Sequence, residues 1–193
     1  DMHDPYVSVL RKRLPHVALV YDHFHVSKVI HGALDELRRR VQRDLPAADR
    51  KRIKGKRYVL LRAKEELTER QRVTLDELLE ANADLTAGYI LKEAFRDVFR
   101  ARTRAAGARR LASWEQQVNE AAVPELLDAL GTITRRRDGI LNFFEHHVAN
   151  GMAECFNNVV GTIRKQAYGF RDREYLRLKI LRICGKLDRK TRR

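Results

Sequence analysis

The sequence predicts a mostly α-helical protein with a small α/β part, and three observations lead there. Most of the chain carries apolar residues at three- and four-residue steps, the spacing that lines one face of a helix. One short run, "HVALVYD" at 16–22, is continuously apolar, rich in β-branched residues and ends in an acid, the pattern of a buried strand. Hydrophobic residues make up 44% of the 193 and charged residues 34%, a balance that suits a folded, helix-rich chain and argues against disorder.

The elements follow in order. Pro5 opens a helix over 5–14 with Tyr6, Val7, Val9, Leu10 and Leu14 at near-helical spacing, since proline in a first turn gives up no intrahelical bond. Pro15 stops it, and the run 16–22 reads as the strand. "FHVSKVIHGALDELRRRVQRDL" then places Val26, Val29, Ile30, Ala33, Leu34 and Leu37 on one helical face. Together these first stretches have an α/β order. "ADRKRIKGKRYVLL" is a basic connection interrupted by glycine, with a short extended piece expected at Tyr58–Leu61. From 68 to 138 strand signals vanish. Two to four antiparallel helices fit there, with loops near Gly107 and Pro124 and a capping box at either Thr68/Gln71 or Thr74/Glu77. The last fifty residues give a helix around Glu154, a break at Gly169, a helix "DREYLRLKILRICGKL", and a basic tail at 188–193 that reads as disordered.

Forty Lys and Arg against 26 Asp and Glu leave a formal net charge of +14, which points to a polyanion, nucleic acid before membrane, without specifying sequence. Two cysteines, Cys155 and Cys184, exclude a disulfide framework and Cys-based zinc spacing, and fit a reducing, cytoplasmic setting. No apolar run is long enough to span a bilayer and no signal-peptide pattern opens the chain, so no membrane partner is expected. A chain that begins at Asp1 rather than Met has the look of a fragment.

Three acidic positions carry candidate chemistry: Asp1, Asp22 directly after the apolar run with His25 three residues on, and Glu154 among Asn150, Asn157 and Asn158. Acids beyond the ends of buried strands are where α/β sheets place ligands, and clustered carboxylates suit Mg²⁺. Plainer roles compete. By position, Asp1 reads as a solvated terminus, Asp22 as the cap of the helix starting near Phe24, and His25 as a packed residue of an apolar face. His146 and His147 read as favouring a helix C-terminus, Trp114 and the Phe143–Phe144 pair as core, and "RRR" at 38–40 and 135–137 as solvated faces. Spacing alone leaves Glu154 undecided.

The order of two long stretches is more specific. "DMHDPYVSVLRKRLPHVALVYDHFHVSKVIHGALDELRR" and "ILNFFEHHVANGMAECFNNVVGTIRKQAYGFRD", with helical sequence between them, resemble the C-terminal catalytic half of a bacterial insertion-sequence transposase. The resemblance is to the ISL-three group of the DDE transposases, and it runs over nearly the whole chain. It implies the C-terminal portion of an RNase H-like fold interrupted by an all-helical insertion. On this mapping residues 1–45 belong to the catalytic core, 46–138 form the insertion, 139–187 return to the core with the glutamate, and 188–193 are a basic tail. Asp1 falls on the second acid of the catalytic triad and Glu154 on the third, both as metal ligands. Asp22 and His25 match an aspartate–two residues–histidine signature and are expected to support the site, with Asp22 as the fallback catalytic acid. Asn150, Gly151, Asn157 and Asn158 match the Asn-rich surroundings of the final glutamate. Arg164, Lys165, Tyr168, Gly169 and Phe170 match the basic stretch beyond it. Arg164, Lys165, Tyr168, Arg171 and Arg173 make the expected DNA-binding face, continued by the cations Arg177 and Lys179.

Two departures stand out within the match. Cys155 occupies a position where the family usually has glycine, and Gly161 one where lysine is usual. The first catalytic aspartate and any N-terminal zinc or helix-turn-helix region fall outside this chain, so the chain by itself is expected to be inactive. In the intact enzyme the resemblance implies two Mg²⁺ or Mn²⁺ ions, one activating water for in-line attack on a DNA phosphodiester and one stabilising the leaving oxygen. The freed 3′-OH then attacks target DNA. Partners are transposon ends and target DNA in a bacterial, nucleoid-associated setting, with a homodimer among the expectations. The insertion is left three roles: covering the site, holding transposon ends or dimerising. A non-enzymatic, basic helical nucleic-acid-binding protein whose acids only cap helices is the competing class, and an inactive transposase remnant is a third reading.

Overall fold

The computed structural model describes residues 4–147, 151–168 and 171–184, with backbone alone at 4, 6, 48 and 151–154. Asp1, Gly169, Phe170 and the 188–193 tail therefore lie outside the described residues. The chain divides into two compact units, Asp1–Val148 and Ala149–Arg193. Among the described residues the regular structure is helical throughout, as the mostly-α expectation requires, and no strand is present.

The first unit is built around α2 (His23–Asp44), which follows α1 (Asp4–Arg13). Asp22 starts α2: its carboxylate accepts the Phe24 N–H at 2.8 Å, satisfying one of the donors that a helix N-terminus leaves open. Val26, Ile30, Leu34, Leu37 and Val41, all 3% exposed or less, form one stripe at helical spacing. Each such side chain contributes roughly 1.5–3 kcal/mol of burial. Leu45 closes the helix, Pro46 blocks its continuation, and α3 (Ala47–Ile53) follows. Gly55, at φ +78°, makes the turn into α4 (Arg57–Leu61), and a 3₁₀ turn at Lys64–Glu66 leads to α5 (Glu69–Glu80).

Four helices then fill 69–135: α5, α6 (Ala83–Val98), α7 (Arg104–Ala121) and α8 (Pro124–Arg135). Their starts are local chemistry. Thr68 and Gln71 form the reciprocal capping box, Asn82 and Thr103 cap α6 and α7 with side-chain oxygens, and Pro124 occupies the first position of α8. The stripe of α2 packs against α6 and α8, and α7 lies on α6. Gly88 permits the α2–α6 approach, since a Cβ there would lie 2.6 Å from a methyl of Leu37. Trp114 is buried in this core and donates its indole N–H to the Leu91 carbonyl at 2.9 Å. Two short helices, α9 (Arg137–Leu141) and α10 (Phe143–His146), finish the unit.

Three sequence expectations are corrected here. The run 16–22 is not a strand: Tyr21 donates its N–H to the Gly139 carbonyl at 3.0 Å, and Asn142 reaches the Leu19 carbonyl at 2.9 Å. Its end is buried as the apolar pattern demands, but against α9. A continuous apolar run reports burial and not the partner that satisfies its backbone. The α/β part is accordingly absent from the described residues. Tyr58–Leu61, expected to be extended, is a helical turn that buries Val59 and Leu60 and leaves Tyr58 exposed. Gly107 is no loop. It lies inside α7, where its missing Cβ admits the Phe144 ring, and the break falls before Thr103.

The second unit pairs α11 (Gly151–Gln166) with α12 (Arg173–Cys184). Asp172 starts α12 by accepting the N–H groups of Glu174 and Tyr175 at 2.8 and 3.2 Å.

Candidate acidic site and nucleic-acid interface

Asp22 is held by α2 and by the segment docked on α9. Its carboxylate is nearly enclosed, Oδ1 is engaged by the Phe24 N–H, and the His23 Nδ1 lies 3.5 Å away. Those neighbours are what a helix cap needs. His25, half-buried on the next turn, packs edge-on to the Phe24 ring. Asp1 lies outside the described residues, and so does the side chain of Glu154, whose backbone places it in the first turn of α11. Of the three candidate acids, only the Asp22 carboxylate is among the described side chains. Among the described residues no three His, Cys, Asp or Glu side chains converge in a way that holds a metal ion. A divalent ion prefers several exposed carboxylate oxygens and retained waters, which the enclosed Asp22 alone does not offer.

The basic face beyond Glu154 is better defined. Arg164 and Lys165 occupy the last turn of α11, a placement the helix dipole favours, and both are exposed. Tyr168, two residues past the helix end, adopts a left-handed backbone (φ +51°) and is fully exposed. Arg171 and Arg173 are exposed as well. Among the described residues no carboxylate pairs with Arg164, Lys165, Arg171 or Arg173, whereas Arg177 is taken up by Glu174 at 2.8 Å. Four cations with no ion-pair partner among the described residues, and an exposed ring, thus lie along α11, α12 and the turn between them.

Two buried charges escaped the sequence reading. Lys92 on α6 is 1% exposed, donates to the Leu60 and Arg62 carbonyls at 3.0 and 2.7 Å, pairs with Glu93 at 2.6 Å and lies 4.1 Å from the Tyr89 ring centre. Burial lowers its pKa against the upward pull of Glu93. Burial likewise raises the Tyr89 hydroxyl to about 12. The signal was a lysine at i+7 from Leu85 on the apolar face of α6, where a buried cation must find carbonyls or an acid. Asp35 on α2 is the second. It gathers Arg38, Arg39 and Arg57 at 2.8, 2.9 and 3.3 Å; burial disfavours its charge, but these guanidiniums outweigh that and lower its pKa. Both act within the first unit, where Lys92 ties α6 to α4 and Asp35 ties α2 to α4, so both hold the fold together.

No helix among the described residues is long and apolar enough to cross a membrane. Comparison with known proteins supplies what the geometry leaves open. A protein-family profile described as transposase, the ISL-three type of DDE transposase, matches residues 1–180. The chain is 31% identical over 185 residues to a transposase for insertion sequence element IS1001 of Bordetella parapertussis, covering 93% of this chain and 45% of that protein. It is 28% identical over 209 aligned positions to a transposase for insertion sequence element IS1557 of Mycobacterium tuberculosis, covering 96% of this chain and 47% of that protein. The chain thus spans about half the length of these relatives. No solved structure matches it.

Proposed function

We propose a role in the cutting and joining of DNA for this chain, which belongs to the ISL-three family of insertion-sequence transposases. The observation that carries the reading is α11. One helix has Glu154 in its first turn and Arg164 and Lys165 exposed in its last, with no carboxylate to neutralise them among the described residues. An acid and a run of free cations a few turns apart on one helix suit a group that acts at a phosphodiester and groups that hold the flanking phosphates. Tyr168 adds an aromatic face on which a splayed base can stack. In this reading Glu154 and Asp1 are the acids that hold a divalent ion, Mg²⁺ or Mn²⁺, while Asp22 and His25 shape the start of α2. An RNase H-like core interrupted by a helical insertion at 46–138 is the architecture that goes with it, and the bacterial cytoplasm is the setting. Transposon ends and target DNA are the substrates, and a homodimer is the assembly.

The test is made on the full-length protein. Glu154→Gln is expected to abolish divalent-ion-dependent cleavage of DNA carrying the element's ends while leaving binding to the same DNA intact. Retained cleavage would end the assignment. Binding without cleavage in the parent protein would favour a non-enzymatic nucleic-acid binder, a class in which an acid such as Asp22 serves only as a cap. Replacing Arg164 and Lys165 with Gln should lower the slope of log K against log salt by about 2, close to 0.9 for each phosphate no longer neutralised.

A further inference from the structure

Residues 35–57 carry ten Lys and Arg against four Asp and Glu, so this short stretch holds six of the chain's fourteen net positive charges. The fold gathers it into an elbow: the C-terminal half of α2, the turn at Pro46, α3, and the Gly55 turn. We propose that this elbow is a second nucleic-acid surface, gripping the phosphate backbone of duplex DNA apart from the basic end of α11. The proposal rests on the DNA-directed reading above and extends it to a surface on the other unit.

Charge compensation at the elbow is incomplete by construction. Asp35 is one carboxylate shared by three guanidiniums, so Arg38, Arg39 and Arg57 keep a surplus of positive charge. Arg50 makes its hydrogen bonds to carbonyls, those of Leu45 and Arg43 at 3.0 and 3.2 Å, which fixes its guanidinium at the end of α2 without a counter-charge. Arg52 has only a distant partner, Asp49 at 3.9 Å. Arg43, Lys51 and Lys54 are exposed and Lys56 is half-exposed, and among the described residues no carboxylate pairs with any of them. An open cleft of about 610 Å³ at the elbow is lined by Arg39, Gln42, Arg43 and Arg50 with Glu36 and Glu125. Glu125 is already neutralised there by Arg40 at 2.7 Å.

The chemistry selects among polyanions. Cations spread along a helix, a turn and a cleft rim match a repeating row of phosphates better than one phosphate, which needs donors converging on a point. Among the described residues the cleft lining carries no aromatic side chain, and Tyr58, the exposed ring just past the elbow, lies 5.8 Å from the Arg57 guanidinium carbon, a single platform where single strands stack on a succession of rings. A membrane surface would need an apolar face to insert, but Ile53, the large apolar residue of α3, is fully buried in the core.

The experiment uses the 193-residue chain and a 25-base-pair duplex of arbitrary sequence, titrated at several salt concentrations. Lys51→Gln, Lys54→Gln and Lys56→Gln together should lower the salt slope by about 3 and leave the thermal midpoint unchanged, because Lys51 and Lys54 are exposed, Lys56 is half-exposed, and none of the three has an ion-pair partner among the described residues. Arg70→Gln with Arg72→Gln, which removes exposed cations from α5, should leave the slope unchanged. An equal loss from that pair would mean general charge attraction and would overturn the proposal. An unchanged slope in the elbow variant overturns it too; if Arg164→Gln with Lys165→Gln still lowers the slope, the assignment at α11 survives by itself. A slope lowered only by the elbow variant upholds the elbow and removes α11 from the DNA path. Matched arms with a 25-nucleotide single strand and with phosphatidylserine vesicles complete the test. Tighter binding to either than to the duplex, lost in the elbow variant, would overturn the choice of duplex backbone.

Discussion

Asp35, Lys92 and His31 are the residues at which charge and burial meet most sharply in the first unit. Asp35 has its folded pKa held below the ordinary 3.8 by three guanidiniums that outweigh its burial. A carboxylate depressed in this way contributes stability that is present above the unfolded value and is lost as pH falls through the folded one. Asp35→Asn should cost about 1–3 kcal/mol at pH 7, because Arg38 is left half-enclosed without its partner. The variant should also lose less stability than the parent between pH 4 and pH 2, measured by urea unfolding at each pH. Lys92 is the opposite case, a cation whose burial lowers its pKa, yet whose ammonium satisfies two carbonyls at the end of α4. Lys92→Met exchanges that desolvation cost for two buried carbonyls with one donor fewer, and a loss of about 1–3 kcal/mol is expected in thermal or urea unfolding. His31 is disfavoured as a cation first by burial and then by Lys92 and Arg96 nearby, so its pKa lies below 6.5. The unfolded chain then binds the extra proton more readily, and stability declines as pH drops below 6.5 toward the folded value. His31→Gln should flatten that decline; an identical profile would place the proton sensitivity elsewhere.

At the scale of elements, the helix crossings and helix ends carry different kinds of information. Gly88→Ala adds a good helix former, worth about 1 kcal/mol in an open helix, but its Cβ would meet Leu37 at 2.6 Å and Leu34 at 3.0 Å. Both leucines are fully buried, so moving their methyls aside disturbs a packed crossing, and a net loss of about 1–3 kcal/mol is expected. Gly161 on α11 is the contrast, because a Cβ there meets nothing within 4 Å. Gly161→Lys should raise the thermal midpoint slightly and, if α11 follows DNA, steepen the salt slope of binding by about 0.9. Helix starts were legible in the sequence because they are local: Asp22, Thr68 and Pro124 act on donors one to three residues away. The strand expected at 16–22 failed for the complementary reason. Tyr21 finds its partner at Gly139, more than a hundred residues on, and no local pattern distinguishes a carbonyl of α9 from a neighbouring strand.

For the whole molecule, the legible part of the site is its chemistry and the illegible part is its assembly. The basic end of α11 was visible as a run of cations, and its exposure follows from their solvation. That Asp22 caps α2 was one of two roles the sequence allowed, and the enclosed carboxylate with its Phe24 bond bears out the cap. The bridge from Arg40 to Asp84 and Glu125 joins residues 44 and 85 positions apart, and Asp35 draws in Arg57 from across a turn and a helix; such pairings depend on the fold and leave no spacing signal. The division into two units carries a last consequence. Residues 1–148 contain the whole packed stripe of α2 with α6, α7 and α8, a core able to support itself, and they contain the elbow as well. A chain ending at 148 should therefore melt in one cooperative transition and bind duplex DNA with a salt slope lowered only by the share of α11 and α12. Adding the Lys51, Lys54 and Lys56 replacements to that shortened chain should remove a further 3 or so from the slope, because distant and independent cations act additively. Loss of the cooperative transition on shortening would mean that the second unit supports the core of the first, and the additive pattern would then have no basis.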